Sequence, residues 1–313
     1  MTTFTEADVR RLLDPAELIT ALETAFRDRY PHARIPARTH VQLPDGVFLV
    51  MACFDDSRGA LGMKLIVVQN NLGSAAERVQ ATYMLLDPSA GRPSLTIEAN
   101  YLTDIRTAAT SALASKFLAR KDARVLGIFG TGRQARAHLK VMPLVGNFER
   151  VLVCGSNPES ARRFAEEMSR KTLPVDAANA ATCAAESDVI CTCTTSSMPL
   201  FDGRLLRPGT HLNLVGAFQP HTREVDSATV QHARVFVDTY DGALAEAGDL
   251  LIPISEGVIA CNHIVGDLHE LTCGNKTARK PAGDITIFKS VGCALEDLVA
   301  AELLSRRERL IPS

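Results

Sequence analysis

At 313 residues the chain exceeds what one hydrophobic core usually fills, and its 46% hydrophobic content can fill two, so two globular domains are expected. Its 34 Lys and Arg stand against 36 Asp and Glu, a formal net charge of −2 with no run of like charge, which leaves out the electrostatic footprint of a nucleic-acid binder. No apolar stretch approaches the ~18 residues that span a bilayer, and the opening MTTFTEADVRRLL carries acids where a secretory signal has basic and then apolar residues. The sequence therefore predicts a cytoplasmic protein with neither nucleic acid nor membrane as partner.

Residues 5–30 read as helix, with Val9, Leu12, Leu13, Leu18, Ile19, Leu22 and Phe26 at helical spacing and Asp14-Pro15 as a break and restart. From about 38 to 87 the period changes to short apolar runs, VFLVMACF, GMKLIVVQ and ATYMLLD. They are separated by Pro44-Asp45-Gly46, Asp56-Ser57-Arg58-Gly59 and Asn70-Asn71-Leu72-Gly73, and predict strands of one antiparallel sheet. Residues 104–120, rich in Ala and Leu and free of Gly and Pro, predict a helix. From Arg124 onward RVLGIFG, RVLVCG, SDVICTCT, THLNLVG and RVFVDT alternate with helical stretches. Continuous apolar strands of that kind belong to a parallel sheet covered on both faces. The fold class is thus α/β, with a Rossmann domain over 121–285 and an α+β domain over 1–120. The closing stretch GDITIFKSVGCALEDLVAAELLSRRE reads as strand, Gly-containing turn and long amphipathic helix, and 286–313 is assigned to the first domain.

Eight cysteines (Cys53, Cys154, Cys183, Cys191, Cys193, Cys261, Cys273 and Cys293) lie mostly in apolar runs without a CxxC pair. Disulfide and zinc readings both fail, and no metal is expected. His138, His211, His221, His263 and His269 are scattered without HxxxH spacing and read as structural or surface residues.

The motif that carries chemistry is Gly130-Thr131-Gly132-Arg133-Gln134-Ala135, a GxGxxA directly after the strand VLGIF and opening an Ala-rich helix. Gly130 permits the tight turn, Gly132 lets backbone N–H groups approach a pyrophosphate, and Ala135 is small enough for close helix–strand packing. The helix N-terminus then faces the phosphates. About 20 residues on, where an NAD site presents Asp or Glu to the ribose 2′-hydroxyl, the strand RVLVCG ends in Gly155-Ser156-Asn157. With no carboxylate there to repel a 2′-phosphate, and with Arg162 and Arg163 following, NADPH is expected to bind at least as well as NADH.

Pro36-Ala37-Arg38, Gly62-Met63-Lys64, LTDIRTAATSALAS, GTGRQA, GAFQPHTREVD, AEAGDL and TIFKSVGCALEDLVAA follow one another in an order that resembles the ornithine cyclodeaminase/mu-crystallin family over essentially the whole chain. The resemblance implies a discontinuous first domain that dimerises through its sheet, a homodimer, and an active site between domains. It implies that Arg38, Lys64 and Arg106 form the substrate carboxylate site, with Lys64 and Arg106 catalytic and Arg106 also close to the cofactor. It implies nucleotide contacts at Arg133, Gln134, Thr194, Leu214, Val215 and Ser290, with Val291 beside the substrate. A guanidinium such as Arg38 can hold a carboxylate through two parallel hydrogen bonds, and burial in GMKLIVV would bring Lys64 towards acid–base use near neutrality.

Departures from the family pattern bear on substrate choice. Where ornithine cyclodeaminases carry an Asp for the substrate's terminal amine, in a GGDxPGKxE-like segment, this chain has Gly216-Ala217-Phe218-Gln219-Pro220, and residues 47–54 contain no acid. A wall of Phe218 with Leu49 or Met51 leaves a terminal ammonium unpaired and suits an apolar ring. The expectation is NAD(P)H-dependent reduction of cyclic imino acids, Δ1-pyrroline-2-carboxylate and Δ1-piperideine-2-carboxylate. An ornithine or lysine cyclodeaminase, an alanine-type dehydrogenase and a non-catalytic mu-crystallin-like binding protein stand as alternatives. Glu246, Gly248 and Asp249 read as structural.

Overall fold

The computed structural model describes residues 2–69, 79–281 and 283–308, so the turn expected at Asn70-Asn71-Leu72-Gly73 lies outside the described residues. Contacts divide the chain into two compact units, Met1–Thr107 with Cys293–Ser313, and Ala108–Gly292. The borders expected at 120/121 and 285/286 move accordingly. Most of the helix Ala99–Leu118 groups with the second unit, and the strand Ile285–Lys289 is paired inside that unit's sheet.

In the first unit, helix α1 (Glu6–Leu12) starts on a capping box in which Thr5 and Asp8 satisfy each other's backbone N–H groups. The break at Asp14-Pro15 is a new N-cap: Asp14 accepts from Ala16 N and Pro15 sits where its missing N–H costs nothing, opening α2 (Pro15–Thr24). The sheet comprises β1 (Thr2–Phe4), β2 (Ala33–Arg34), β3 (Thr39–Leu43), β4 (Gly46–Asp55), β5 (Ala60–Gln69), β6 (Val79–Asp87) and β7 (Arg92–Glu98). Its order is β1-β7-β6-β5-β4-β2, with β3 also on β4; among the described residues only the β1/β7 pair is parallel. Strand alternation sends Leu49, Met51, Cys53, Gly62, Lys64, Ile66, Ala81 and Tyr83 to one buried face. Helix α11 (Ala294–Glu308) packs on β4, β5 and β6.

In the second unit, helix α3 (Ala99–Leu118) leads into eight parallel strands: β8 (Val125–Phe129), β9 (Arg150–Cys154), β10 (Val175–Ala177), β11 (Val189–Thr192), β12 (His211–Leu214), β13 (Ala233–Val237), β14 (Ile264–Asp267) and β15 (Ile285–Lys289). Their order is β10-β9-β8-β11-β12-β15-β13-β14. Between them run α4 (Arg133–Val141), α5 (Pro158–Met168), α6 (Ala180–Glu186), α7 (Ser227–His232), α8 (Tyr240–Glu246), α9 (Gly248–Ser255) and α10 (Leu268–Thr272). The order reverses at β8/β11, and in open α/β sheets ligands bind beyond the carboxyl ends of the strands at such a reversal.

Candidate active site

In the first unit, Lys64 lies in the middle of β5 between Met51 and Tyr83 on the neighbouring strands, and it is completely buried. Its Nζ donates to Asp297 Oδ1 at 2.8 Å. Arg106, near the middle of α3, donates through Nε to the same oxygen at 3.0 Å and through Nη1 to Glu296 Oε2 at 2.5 Å. Burial lowers the Lys64 pKa to about 8; the charges of Arg106 and Arg38 push the same way, and Asp297 opposes them. Arg38 therefore acts on Lys64 from the half-buried extended segment before β3. Burial also works against the charge of Arg106, yet Asp297 and Glu296 hold its pKa above the ordinary value. Arg38, Lys64 and Arg106 are thus grouped with Glu296 and Asp297. The two acids were not singled out in the sequence. Their signal is an Asp and a Glu side by side among fully buried Leu295 and Leu298, where a charge needs a partner.

In the second unit, the chain leaves β8 through Gly130 at φ +112, where a Cβ would lie 2.6 Å from the Cys193 carbonyl oxygen, so only glycine fits. Gly130 N donates to Cys154 O at 2.8 Å, which ties the turn to the end of β9. Gly132 is the N-cap of α4, without a side-chain cap, and a Cβ there would meet nothing within 4 Å. A first turn without a side-chain cap and open space around Gly132 fit the approach of a pyrophosphate. Ala135 is fully buried, Arg133 exposed and Gln134 half-buried. Ser156 is exposed at the end of β9 with no carboxylate beside it in the chain, but Asn157 spends its side-chain oxygen on Ser160 N at 2.9 Å as the N-cap of α5. Arg162 and Arg163 are exposed and share Glu159 at 3.4 and 3.7 Å.

The carboxyl ends of adjacent strands are stitched in series: Cys193 N to Phe129 O, Val215 N to Thr192 O and Ser290 N to Leu214 O, at 2.8, 3.1 and 3.1 Å. Thr194, Leu214, Val215 and Ser290 consequently line one edge of the sheet with Gly130. Three buried acids order this edge. Glu224 accepts from Thr192 Oγ1 at 2.6 Å, Thr194 N at 2.8 Å, Thr194 Oγ1 at 2.7 Å and Gly216 N at 2.7 Å. A Cβ on Gly216 would lie 2.1 Å from Thr194 O, so glycine is required. Asp249 accepts from Glu224 N at 2.7 Å and pairs with fully buried Lys289 at 3.0 Å, while Lys289 Nζ donates to Ala217 O at 2.5 Å. Burial and Asp249 raise the pKa of Glu224, against the pull of Lys289. Asp238 Oδ2 accepts from Ser290 Oγ, Val291 N and Gly292 N at 3.0, 2.8 and 2.7 Å, which fixes Val291 on its turn. Phe218, beside the anchored Ala217, is 41% exposed, more than a core-packing residue would be.

Among the described residues no helix is long and apolar enough to cross a membrane, and no three His, Cys, Asp or Glu side chains are placed to hold a metal ion. His138 is buried with Nδ1 2.8 Å from Gln134 O and Nε2 2.9 Å from Ser111 Oγ, and burial lowers its pKa to about 4. The model of the ornithine cyclodeaminase/mu-crystallin family matches residues 1–310. A Delta(1)-pyrroline-2-carboxylate reductase of Bacillus cereus is 34% identical over 302 residues, 94% of this chain and 93% of the relative. Among solved structures, the Delta(1)-pyrroline-2-carboxylate reductase of Thermococcus litoralis in complex with NADH and L-proline superposes with a TM-score of 0.95 at 36% identity, over 100% of this chain and 99% of that one. An archaeal alanine dehydrogenase dimer with bound NAD gives a TM-score of 0.93 at 27% identity, over 100% and 98% of the two chains.

Proposed function

Since the chain belongs to the ornithine cyclodeaminase/mu-crystallin family, we propose that it reduces small cyclic imino acids, Δ1-pyrroline-2-carboxylate and Δ1-piperideine-2-carboxylate, to the corresponding cyclic amino acids with NADH or NADPH. The observation that carries the reading is Lys64, completely buried, lowered to about 8 and grouped with two arginines. The substrate brings one carboxylate, which needs a cation to hold it. Arg38, on the extended segment before β3, takes that carboxylate through its planar fork. Lys64 carries a proton at neutral pH yet holds it loosely enough to give to the imine nitrogen, which becomes the amine as the C=N bond is reduced. Arg106, locked by Glu296 and Asp297, helps keep the pKa of Lys64 depressed. The nicotinamide cofactor, when bound at the Gly130 turn, supplies the hydride to the imine carbon.

Substrate choice follows from missing acids. A diamino acid needs a carboxylate for its second ammonium. Residues 47–54 offer none, Phe218 stands in the family's Asp position, and Asp55 is buried with Arg29 Nε 2.5 Å away. An imine ring instead buries methylenes at ~0.8 kcal/mol each. We further propose a homodimer built on the other face of the first unit's sheet. There Phe48, Val50, Leu65, Val67 and Met84 stay only half-buried within one chain, an apolar surface suited to a second copy.

The test is oxidation of NADPH and NADH with pyrroline-2-carboxylate, piperideine-2-carboxylate and pyruvate plus ammonia, alongside ammonia release from ornithine. Turnover of the two imines carries the proposal. Ammonia release from ornithine as the faster reaction would restore the cyclodeaminase, and turnover of pyruvate with ammonia alone the alanine dehydrogenase.

A further inference from the structure

Helices α2 and α11 line a second site within the first unit. Glu17, Thr20, Ala21 and Thr24 form one stripe of α2, and Val299, Glu302, Leu303 and Arg306 form one stripe of α11, both at i, i+3, i+4, i+7 spacing. With Arg29 and Arg58 they line an open cavity of about 390 Å³, within the range that takes small-molecule ligands. Its apolar lining comes from Ala21, Val299 and Leu303, and the hydroxyls of Thr20 and Thr24 are spent on the backbone carbonyls of Ala16 and Thr20.

The charges of the lining are unevenly matched. Glu302 is held by the Arg29 Nη2 at 2.7 Å, and Arg29 Nε is itself taken by Asp55 at 2.5 Å. Glu17 is held by Arg307 Nη2 at 2.7 Å. Both carboxylates of the cavity are therefore paired. Arg58 and Arg306 have no acidic partner among the described residues, so two exposed arginines remain in a lining that also holds apolar side chains. A guanidinium offers a fork that matches a carboxylate bidentately. An ammonium on the ligand would meet two arginines and no unpaired carboxylate, which excludes zwitterionic amino acids. We propose that this cavity binds a small organic dicarboxylate that carries no amino group, one carboxylate on Arg58 and the other on Arg306, with its carbon chain on Ala21, Val299 and Leu303.

The experiment measures binding of succinate to the full-length protein by calorimetry, with inorganic phosphate and L-proline as the other arms, for the unmodified chain and for Arg58→Ala/Arg306→Ala. Imine reduction without added anion checks that the variant keeps its fold and its reaction, because neither arginine belongs to the Lys64 group. The expected result is saturable succinate binding that weakens by at least about tenfold in the variant, with imine reduction unchanged and L-proline showing no loss attributable to the two arginines. Succinate bound equally well by the variant would overturn the assignment, since the anion would then be held elsewhere. Phosphate binding as tightly as succinate, with the same dependence on the arginines, would also overturn it, because the apolar lining would then contribute nothing. Because this readout is binding to residues outside the Lys64 group, it succeeds or fails independently of the imine-reductase reading.

Discussion

Replacing Asp297 by Asn keeps the shape of the side chain and removes the negative charge 2.8 Å from Lys64 Nζ. At an effective dielectric of about 20, two unit charges at that separation interact by roughly 6 kcal/mol. The asparagine dipole and relaxation around the site recover much of this. A net loss of about 1.4–2.8 kcal/mol corresponds to a fall of roughly one to two pH units. The Lys64 pKa then drops from about 8 to between about 6 and 7, because burial, Arg106 and Arg38 keep pushing it down while Asp297 no longer holds it up. The sign for activity follows directly. Protonated Lys64 is the working form, so kcat/KM for imine reduction falls as pH rises through about 8 in the unmodified enzyme, and the same fall in Asp297→Asn begins one to two units lower. The assay is the pH profile of kcat/KM with one imine and one cofactor, run on both proteins. Any titration of the substrate is common to the two and cancels in the difference. A descending limb that stays in place, or moves to higher pH, in a variant that still melts cooperatively would refute Lys64 as the titrating group.

Three further outcomes follow from the geometry. Arg38→Ala should cost about 2–4 kcal/mol in kcat/KM for the imine, the worth of two charge-assisted bonds, with the dissociation constant for NADH nearly unchanged; an equal loss in cofactor binding would make Arg38 structural. Ser156→Asp should shift preference towards NADH by placing a carboxylate at the end of β9 where a 2′-phosphate would lie, and an unmodified enzyme strongly selective for NADH would sink that argument. Glu224→Gln turns an amide N–H towards donors at Thr194 and Gly216, so KM for the cofactor should rise by about tenfold, an effect of ~1.4 kcal/mol; cofactor kinetics like those of the unmodified enzyme would remove Glu224 from the ordering of that strand edge.

Patterns that are local were legible in the sequence. The change of period after residue 38 marks the antiparallel strands, and the glycine at 130 marks the one backbone turn that β8, Cys193 and Cys154 together require. Strand β7 escaped because Pro93 and the polar residues Ser94, Thr96 and Glu98 mask a two-residue apolar signal. The proline is accommodated where the pairing with β6 shifts register, and only Leu95 and Ile97 turn inward. Helix α3 begins five residues before the expected start, at Ala99, because Tyr101 and Leu102 are buried and continue its apolar surface. Partners across long separations were illegible. Asp297 is 233 residues from Lys64, and no spacing rule connects a strand lysine to an acid on the last helix. The side chain of Asn157 has a local duty that spacing from the glycines does not reveal, since its oxygen caps its own helix.

Buried ion pairs are poor evidence for stability, because removing two charges from water costs about as much as their attraction returns, whereas removing one partner alone costs ~3–5 kcal/mol. The Lys64 group can be divided to test what it is for. Lys64→Met with Asp297→Leu removes one cation and one anion together, and it leaves Arg106 paired with Glu296 at 2.5 Å. The local charge is unchanged and two apolar chains fill the space between β5 and α11. If the pair were there to hold the sheet to the helix, the double variant would unfold at a lower temperature. On the reading developed above it should melt at the same temperature as the unmodified protein or higher, bind NADH as before, and reduce imines with kcat lowered by at least about a hundredfold, the usual contribution of a positioned proton donor. Retained turnover in a stable double variant would mean that the proton reaches the imine nitrogen by another route, and that Lys64 is no more than a buried charge with a partner.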